Sequence, residues 1–366
     1  MHRERVPAIF VAATRQNDGK TVLSLGLVLA LQKQFGAVGF IKPVGQKYVV
    51  VEGEKVDKDA VLMKEVCGLK ERLKDINPVA IEEGFTRRYL EKPDVRPLLQ
   101  QIKESYIRVS EGKEVTVIEG TGHGGVGAVF DLSNAAVASL LKVPVVLISI
   151  GGIGRPIDEI ALNVSYFRDF GVRLKGALIN KVLPEKKFLV EKYVSCGLAR
   201  MNIQLLGVIP FVPLLTQPTV GQVFEAVKGK VVVGGERLRT QITSVLVGAM
   251  TPRHALDYFR PGSLLITPGD REDIILAALS HYTVSSLSRP VISGIILSGG
   301  LQPHKTILDL IVKADIPTII SSEGTYEVAS LVHALEVKIR AEDKEKVETA
   351  RRLVEGNINL KQLLEI

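Results

Sequence analysis

Phe10-Val-Ala-Ala-Thr14-Arg-Gln-Asn17-Asp18-Gly19-Lys20-Thr21, running into the apolar stretch Val22–Leu31, is the part of this sequence on which the fold turns. A β-branched and aromatic run, a short polar turn and a helix opening on Gly-Lys-Thr form the strand–loop–helix context of a phosphate loop. Backbone N–H groups at a helix N-terminus bind phosphate oxygens, and the helix dipole adds to that attraction. Lys20 would place its ammonium on the outer phosphates and Thr21 its hydroxyl on Mg²⁺, with Thr14, Asn17, Asp18 and Gly19 as the cradle between. One position departs from the GxxxxGK[ST] pattern, because Thr14 stands where the first glycine belongs. The competing reading is an ordinary helix start with Lys20 and Thr21 facing water.

Outward from the loop, β-branched runs alternate with helical patterns. Strands are expected at Ala8–Ala13, Ala37–Pro43, Val115–Glu119, Val145–Ser149, Leu174–Asn180 and Gln204–Pro210. Helices are expected at Lys20–Lys33, Asp59–Cys67, Arg96–Glu111, Asn134–Leu141, Asp158–Asp169 and Lys186–Met201. Such alternation implies an α/β fold, a parallel sheet with helices on both faces and right-handed crossovers. Pro210, Pro213 and Pro218 interrupt the pattern and mark a boundary. Beyond it a smaller α/β region restarts, with strands at Val245–Met250, Ser263–Pro268, Ile292–Ser298 and Thr318–Ser321. Helical stretches Arg271–His281, His304–Ala314 and Tyr326–Leu335 follow the last three. The expected division is 1–215, 216–338 and a charged helical tail, 339–366.

The rest of the composition excludes several classes. In 366 residues, 46% hydrophobic and 24% charged with both signs mixed, there is enough apolar surface for two cores, so disorder is excluded. Cys67 and Cys196 have no CxxC spacing, which excludes a disulfide scaffold and makes inert thiols the expectation in a reducing, cytoplasmic setting. The most apolar stretch, Ala135–Ile153, contains Lys142, Pro144 and two glycines, so it breaks before it could span a membrane. Met1–Arg5 is charged and leads directly into a strand, unlike a secretory leader. The net charge of +7 favours anionic partners. Its basic residues are scattered among acids with few aromatics, which suits phosphorylated small molecules better than nucleic acid. No membrane or nucleic-acid partner is expected, and self-association is.

Four further stretches occur in one order after the loop: Phe40-Ile-Lys42-Pro43-Val44, Asp57-Lys-Asp59-Ala60, Val117-Ile-Glu119-Gly-Thr-Gly122 and Gly176-Ala-Leu-Ile-Asn180-Lys-Val182. Over roughly residues 6–215 this order resembles the dethiobiotin synthetase family and its relatives that amidate cobyrinic acid. It is most similar to the corresponding N-terminal region of long-form phosphate acetyltransferases. From Val220 to about Leu335, Val247-Gly-Ala-Met250, Ile266-Thr-Pro-Gly-Asp270-Arg271 and Gly294-Ile-Ile-Leu-Ser-Gly-Gly300 resemble the DRTGG domain that follows it there. Only Arg239-Thr240 survives of the eponymous motif. The resemblance implies a P-loop NTPase-type sheet binding ATP and Mg²⁺. It also implies that Lys42 reaches the transferred phosphoryl group or the substrate, that Asp59 and Glu119 join Thr21 on the metal, and that Asn180 reads the nucleobase edge. Each has a plainer alternative: a first-turn helix acid for Asp59, an exposed strand-end acid for Glu119, turn chemistry for Asn180.

Two motifs carry less. His123, in Gly122-His-Gly-Gly125, suits a polar substrate contact better than a lone general base, and an unassigned surface histidine equally well. Ser298-Gly-Gly-Leu-Gln-Pro-His304-Lys305-Thr306 lacks the glycine before its lysine, and Pro303 removes a donor, so a second nucleotide site is rejected. The segment Asn77–Tyr89 does not match the dethiobiotin synthetase substrate loop, and with Ile366 as its last residue the chain is not expected to act as a phosphate acetyltransferase by itself. The expected function is therefore a nucleotide-dependent regulatory or metabolite-sensing protein, with an anionic metabolite at the second region beside Arg271. The alternative is an ATP-dependent ligase or amidase-type synthetase that phosphorylates a carboxylate or carbamate, with Lys20 and Lys42 as its catalytic pair.

Overall fold

Alternation within the first strand sets the layers: Phe10 and Ala12 face one way, Ile9 and Val11 the other, and all four are buried. The computed structural model describes residues 6–284 and 292–364; Met1–Arg5, read above as a charged lead-in, lie outside the described residues. The chain forms two compact units, Met1–Val212 with Ile339–Ile366, and Pro213–Lys338.

Strands of the first unit are β1 (Ala8–Ala13), β2 (Val38–Ile41), β3 (Val44–Gly45), β4 (Tyr48–Val51), β5 (Glu54–Asp57), β6 (Val79–Ala80), β7 (Val115–His123), β8 (Val145–Ile150), β9 (Leu174–Val182) and β10 (Leu205–Pro210). Six of them make the main sheet in the order β10-β9-β8-β1-β7-β2, with every pairing parallel. From β1 the chain first moves toward β2 and later toward β10, so the order reverses about β1. Ligands of open parallel sheets bind outside the carboxyl ends of strands at such a switch point.

One face of this sheet packs with helices 96–110, 134–141, 154–169 and 187–199, around Phe10, Ile118, Leu147, Ile160 and Phe167. The other carries Lys20–Phe35, whose buried set Leu23, Leu25, Leu27, Val28 and Leu31 runs round the helix. A helix apolar on all sides needs cover on both, and Lys344–Asn357 supplies it. At Gly26 a Cβ would stand 2.3 Å from the Ala350 carbonyl oxygen, so the two helices meet backbone against side. The C-terminal stretch is thus part of the first unit. The sequence reading missed the hairpin of β4 and β5, and the parallel pair of β3 and β6, because strands of two to four residues give too little periodicity to register.

In the second unit β11 (Lys230–Val233), β12 (Ser244–Val247), β13 (Ser263–Pro268), β14 (Ile292–Ser298) and β15 (Thr318–Ile320) lie in the order β11-β15-β14-β13-β12. Only β11 is antiparallel, to β15. Helices 220–227 and 325–333 bury Val223, Phe224 and Val328 on one face, and helices 272–284 and 305–313 bury Ile274, Ile275 and Ile311 on the other. Thr219 opens helix 220–227 with a reciprocal capping box to Gln222, a start signal the prolines upstream obscured.

Candidate nucleotide site

The loop between β1 and the helix Lys20–Phe35 is held from below by strand ends. Gly19 caps that helix at φ +96°, and a Cβ there would stand 2.3 Å from Asn180 Nδ2, so only glycine fits. Asn180, at the end of β9, donates Nδ2 to the Asp18 carbonyl at 2.8 Å, and Lys181 Nζ donates to the Asn17 carbonyl at 2.7 Å. The amide nitrogen of Asn180 thus braces the loop. Lys20 Nζ donates to the Gly122 carbonyl at 2.9 Å, which ties the loop to the end of β7. Burial pulls the Lys20 ammonium below its ordinary value, against the attraction of Glu119.

Thr21, Asp59, Glu119 and Lys42 converge. Thr21 Oγ1 lies 3.2 Å from Asp59 Oδ2 and 3.1 Å from Glu119 Oε1. Lys42, one residue past β2, sits among three carboxylates: Asp57 Oδ1 at 3.0 Å, Glu119 Oε1 at 3.3 Å, and Asp59 in direct contact. All four of these groups are buried. Burial opposes the charge on Lys42, but Glu119, Asp59 and Asp57 together outweigh it and hold the ammonium above its ordinary value. Glu119 is pushed the other way. Burial raises its carboxyl, and the lysines only partly compensate. Its Oε2 and the Ser24 Oγ are both buried without a hydrogen-bond partner, and Ser24 also tempers the rise of the Glu119 carboxyl. The reading of Glu119 as an exposed strand-end acid does not hold at 1% exposure. Strand β7 continues past it to His123 through a register shift against β1, where Val11 pairs Glu119 and Ala13 pairs His123.

Two residues of this cluster were not singled out from the sequence. Asp57 accepts from Asp59 N at 2.9 Å, capping helix 58–67, while binding Lys42. Asn77 is fully buried and cross-links the same two segments: Oδ1 accepts from Asp57 N and Nδ2 donates to the Lys42 carbonyl, each at 2.8 Å. The acids of Asp57-Lys-Asp59 two apart were a signal, since an N-cap acid followed by a first-turn acid is stabilised by the helix dipole. Nothing local pointed to Asn77. His123 is exposed, and its Nδ1 accepts from Gly125 N at 3.2 Å, a local turn contact. Cys67 is buried, its thiol pushed up to about 12, and Cys196 is exposed.

The strand ends of the second unit spend their donors internally. Gly299 N donates to the Glu323 carbonyl and Gly300 N to the Ser321 carbonyl, each at 2.7 Å. Arg271, expected to offer a charge to an anion, pairs with Asp273 through Nε at 2.8 Å and Nη2 at 3.0 Å. The same guanidinium donates to the Met250 carbonyl at 2.9 Å and the Gly248 carbonyl at 3.3 Å. These contacts fasten the turn after β12, and the guanidinium stays about a third exposed.

Among the described residues no helix is long and apolar enough to cross a membrane. Residues 7–219 match the AAA domain family and residues 222–335 the DRTGG domain family. The chain is similar to the phosphate acetyltransferase of Nitratidesulfovibrio vulgaris, 28% identical over 364 residues that cover 97% of this chain and 51% of that protein. It is similar also to the phosphate acetyltransferase of Pseudomonas putida, 27% identical over 369 residues, 96% of this chain and 50% of that one. The chain spans about half the length of the curated relatives it matches. Among solved structures, the CBS and DRTGG domains of the regulatory region of Clostridium perfringens pyrophosphatase, complexed with diadenosine tetraphosphate, match at a TM-score of 0.27 and 20% identity, over 33% of this chain and 46% of that one.

Proposed function

This chain belongs to the AAA domain family, with a DRTGG domain behind it, and from that premise we propose that it binds ATP with Mg²⁺ at Thr14–Thr21 and acts as a nucleotide-dependent regulatory or metabolite-sensing protein. The observation that carries this reading is the meeting of Lys20 and Thr21, at the start of the helix after β1, with Glu119 of β7 and Asp59 in the first turn of helix 58–67. An ammonium for the outer phosphates stands beside a hydroxyl and two carboxylates suited to a hard cation.

The residues fit such an ion. Glu119 Oε2 is a buried carboxylate oxygen without a protein partner, which is costly unless a cation or water meets it. Among the described residues no cluster of three or more His, Cys, Asp or Glu is arranged to hold a metal alone, so phosphate oxygens would complete the set offered by Thr21, Asp59 and Glu119. Bound Mg²⁺ would supply charge neutralisation on the phosphates. Lys42 supports switching over phosphoryl transfer: its ammonium is spent on Asp57, Asp59 and Glu119 at 5% exposure and is not free to follow a moving phosphoryl group.

Titration calorimetry with ATP, with and without Mg²⁺, tests the reading. Tight binding that Mg²⁺ strengthens, with ADP formed only slowly in the absence of a partner or metabolite, supports it. Rapid ADP formation with small carboxylates would favour a synthetase instead. Absence of ATP binding under both conditions would end the nucleotide reading.

A further inference from the structure

The position at which the phosphate loop departs from its pattern, Thr14 in place of glycine, lies at the centre of a buried polar cluster. Thr14 Oγ1 is 3.0 Å from Asp18 Oδ2, 3.0 Å from Glu159 Oε2 and 2.9 Å from Ser149 Oγ. Thr14, Asp18, Ser149 and Glu159 are 5%, 2%, 0% and 8% exposed. A hydroxyl has one hydrogen and two lone pairs. If both carboxylates were ionised, the Thr14 hydrogen could serve only one, and the other would face a lone pair at 3.0 Å with little water near. One additional proton removes the conflict: Thr14 then donates to one carboxyl group and accepts from the other and from Ser149.

The surroundings decide which acid carries that proton. Glu159 Oε1 takes Arg15 Nη2 at 2.5 Å and Arg155 Nε at 2.7 Å, so two guanidinium groups meet Glu159. Asp18 has none. Its Oδ2 accepts the Arg15 backbone N–H at 2.8 Å, and the cation facing it from the helix, Lys20, donates to the Gly122 carbonyl. From β9, Lys181 is committed to the Asn17 carbonyl and Asn180 to Asp18's own carbonyl. Burial, the largest influence, raises the Asp18 carboxyl; the Arg15 N–H, a Thr14 hydroxyl hydrogen turned toward it and Lys20 each reduce that rise, and the Glu159 charge adds a smaller one.

We propose that Asp18 is held as the neutral acid, donating to Thr14, which donates in turn to Glu159, so that the phosphate loop meets a polyphosphate without a carboxylate charge of its own. Thr14 is then a positioning residue: its hydroxyl accepts and passes on a hydrogen bond that glycine could not. Only the ligand arm of the test rests on the nucleotide reading above.

Carbon-13 NMR of the full chain, labelled at aspartate carboxyls, reads the proton directly, with the Asp18 signal identified by its loss in Asp18→Asn. The midpoint of Asp18 should lie clearly above its ordinary value of 3.8. Thr14→Val should lower it, since the variant removes an acceptor from the neutral acid; were Thr14 instead donating to an ionised Asp18, the same variant would raise it. A wild-type midpoint at or below the ordinary value, or a rise in Thr14→Val, overturns the proposal. In the ligand arm, ATP affinity should fall as pH rises through that midpoint, by at most about tenfold per pH unit for one linked proton. In Asp18→Asn the profile should be flat across the same range. A profile equally steep in wild type and Asp18→Asn would also overturn it. If ATP binds at no pH while the midpoint is high, the nucleotide reading falls and the proton assignment stands.

Discussion

Lys42 is buried and Lys20 half-buried, both beside carboxylates, yet their partners give them different work. Lys20 donates to a backbone carbonyl and is held below its ordinary value by burial, so an incoming anion is its natural counter-charge. Lys20→Ala should abolish the rise in melting temperature that ATP gives the wild type. A full ATP-dependent rise in a folded variant would remove the loop from the site. Asp59→Asn and Glu119→Gln should weaken binding in Mg²⁺ more than binding without it, each having lost a hard anionic ligand. Paired titrations with and without Mg²⁺ measure this. Lys42 is a structural counter-ion for three acids. Lys42→Met leaves those acids buried and uncompensated, which should cost about 3–5 kcal/mol at neutral pH by urea unfolding. The orphaned carboxyls then bind protons more tightly folded than unfolded, so their penalty appears as pH rises above the unfolded carboxylate range and shrinks as pH falls. A loss of stability independent of pH between 4 and 8, roughly the span in which such carboxyls titrate, would contradict this account.

Helix Lys20–Phe35 carries the loop, and what covers it decides how the loop is held. Its inner side packs on β1 and its neighbours, its outer side on Lys344–Asn357, and a small void between sheet and cover is lined by Ile9, Val11, Leu23, Leu27, Ile358 and Leu363. Gly26→Val would drive a side chain into Ala350 and Val354, which already stand within 2.7 Å of a Cβ built there. Overpacking of that kind costs about 1–3 kcal/mol. Thermal unfolding should register it, and Val354→Ala, by opening room, should return part of the loss. An unchanged melting temperature in Gly26→Val would mean the two helices do not pack as closely as described. The all-round apolar character of Val22–Leu31 was readable in advance as a demand for a second cover. Which segment answered it was not, because Lys344–Asn357 reads alone as a charged surface helix and shows its buried side only as Lys346, Ala350 and Val354.

At the scale of the molecule, the chain leaves its first unit after Val212 and returns to it at Ile339, so the second unit is an insertion. A cut near Thr216, which the prolines suggest as a clean boundary, would strip the outer cover from the loop-bearing helix. Residues 1–216 alone should therefore melt lower than the full chain's first unit or aggregate, and adding 339–366 as a separate peptide should restore both stability and ATP binding. A fragment 1–216 as stable as the intact unit would show that the returning segment contributes nothing. Residues 213–338, with cores on both faces of their own sheet, should unfold cooperatively as an isolated piece.

The sequence by itself determined the strand–loop–helix, the alternation that makes a parallel sheet, and the order of Lys20, Thr21, Lys42, Asp59 and Glu119 along it. These are local or periodic properties: a β-branched run, a helix start and a strand-end acid declare themselves within a few residues. Tertiary structure decided the remainder. It put Asn77 between Lys42 and Asp57, set Arg271 on carbonyls and Asp273, brought Glu159 to Thr14 from 145 residues along the chain, and folded the C-terminal helix back over the loop-bearing helix. Each depends on which distant backbone or side-chain group arrives to meet a buried polar atom or an uncovered apolar face, and neither spacing nor composition encodes that partner.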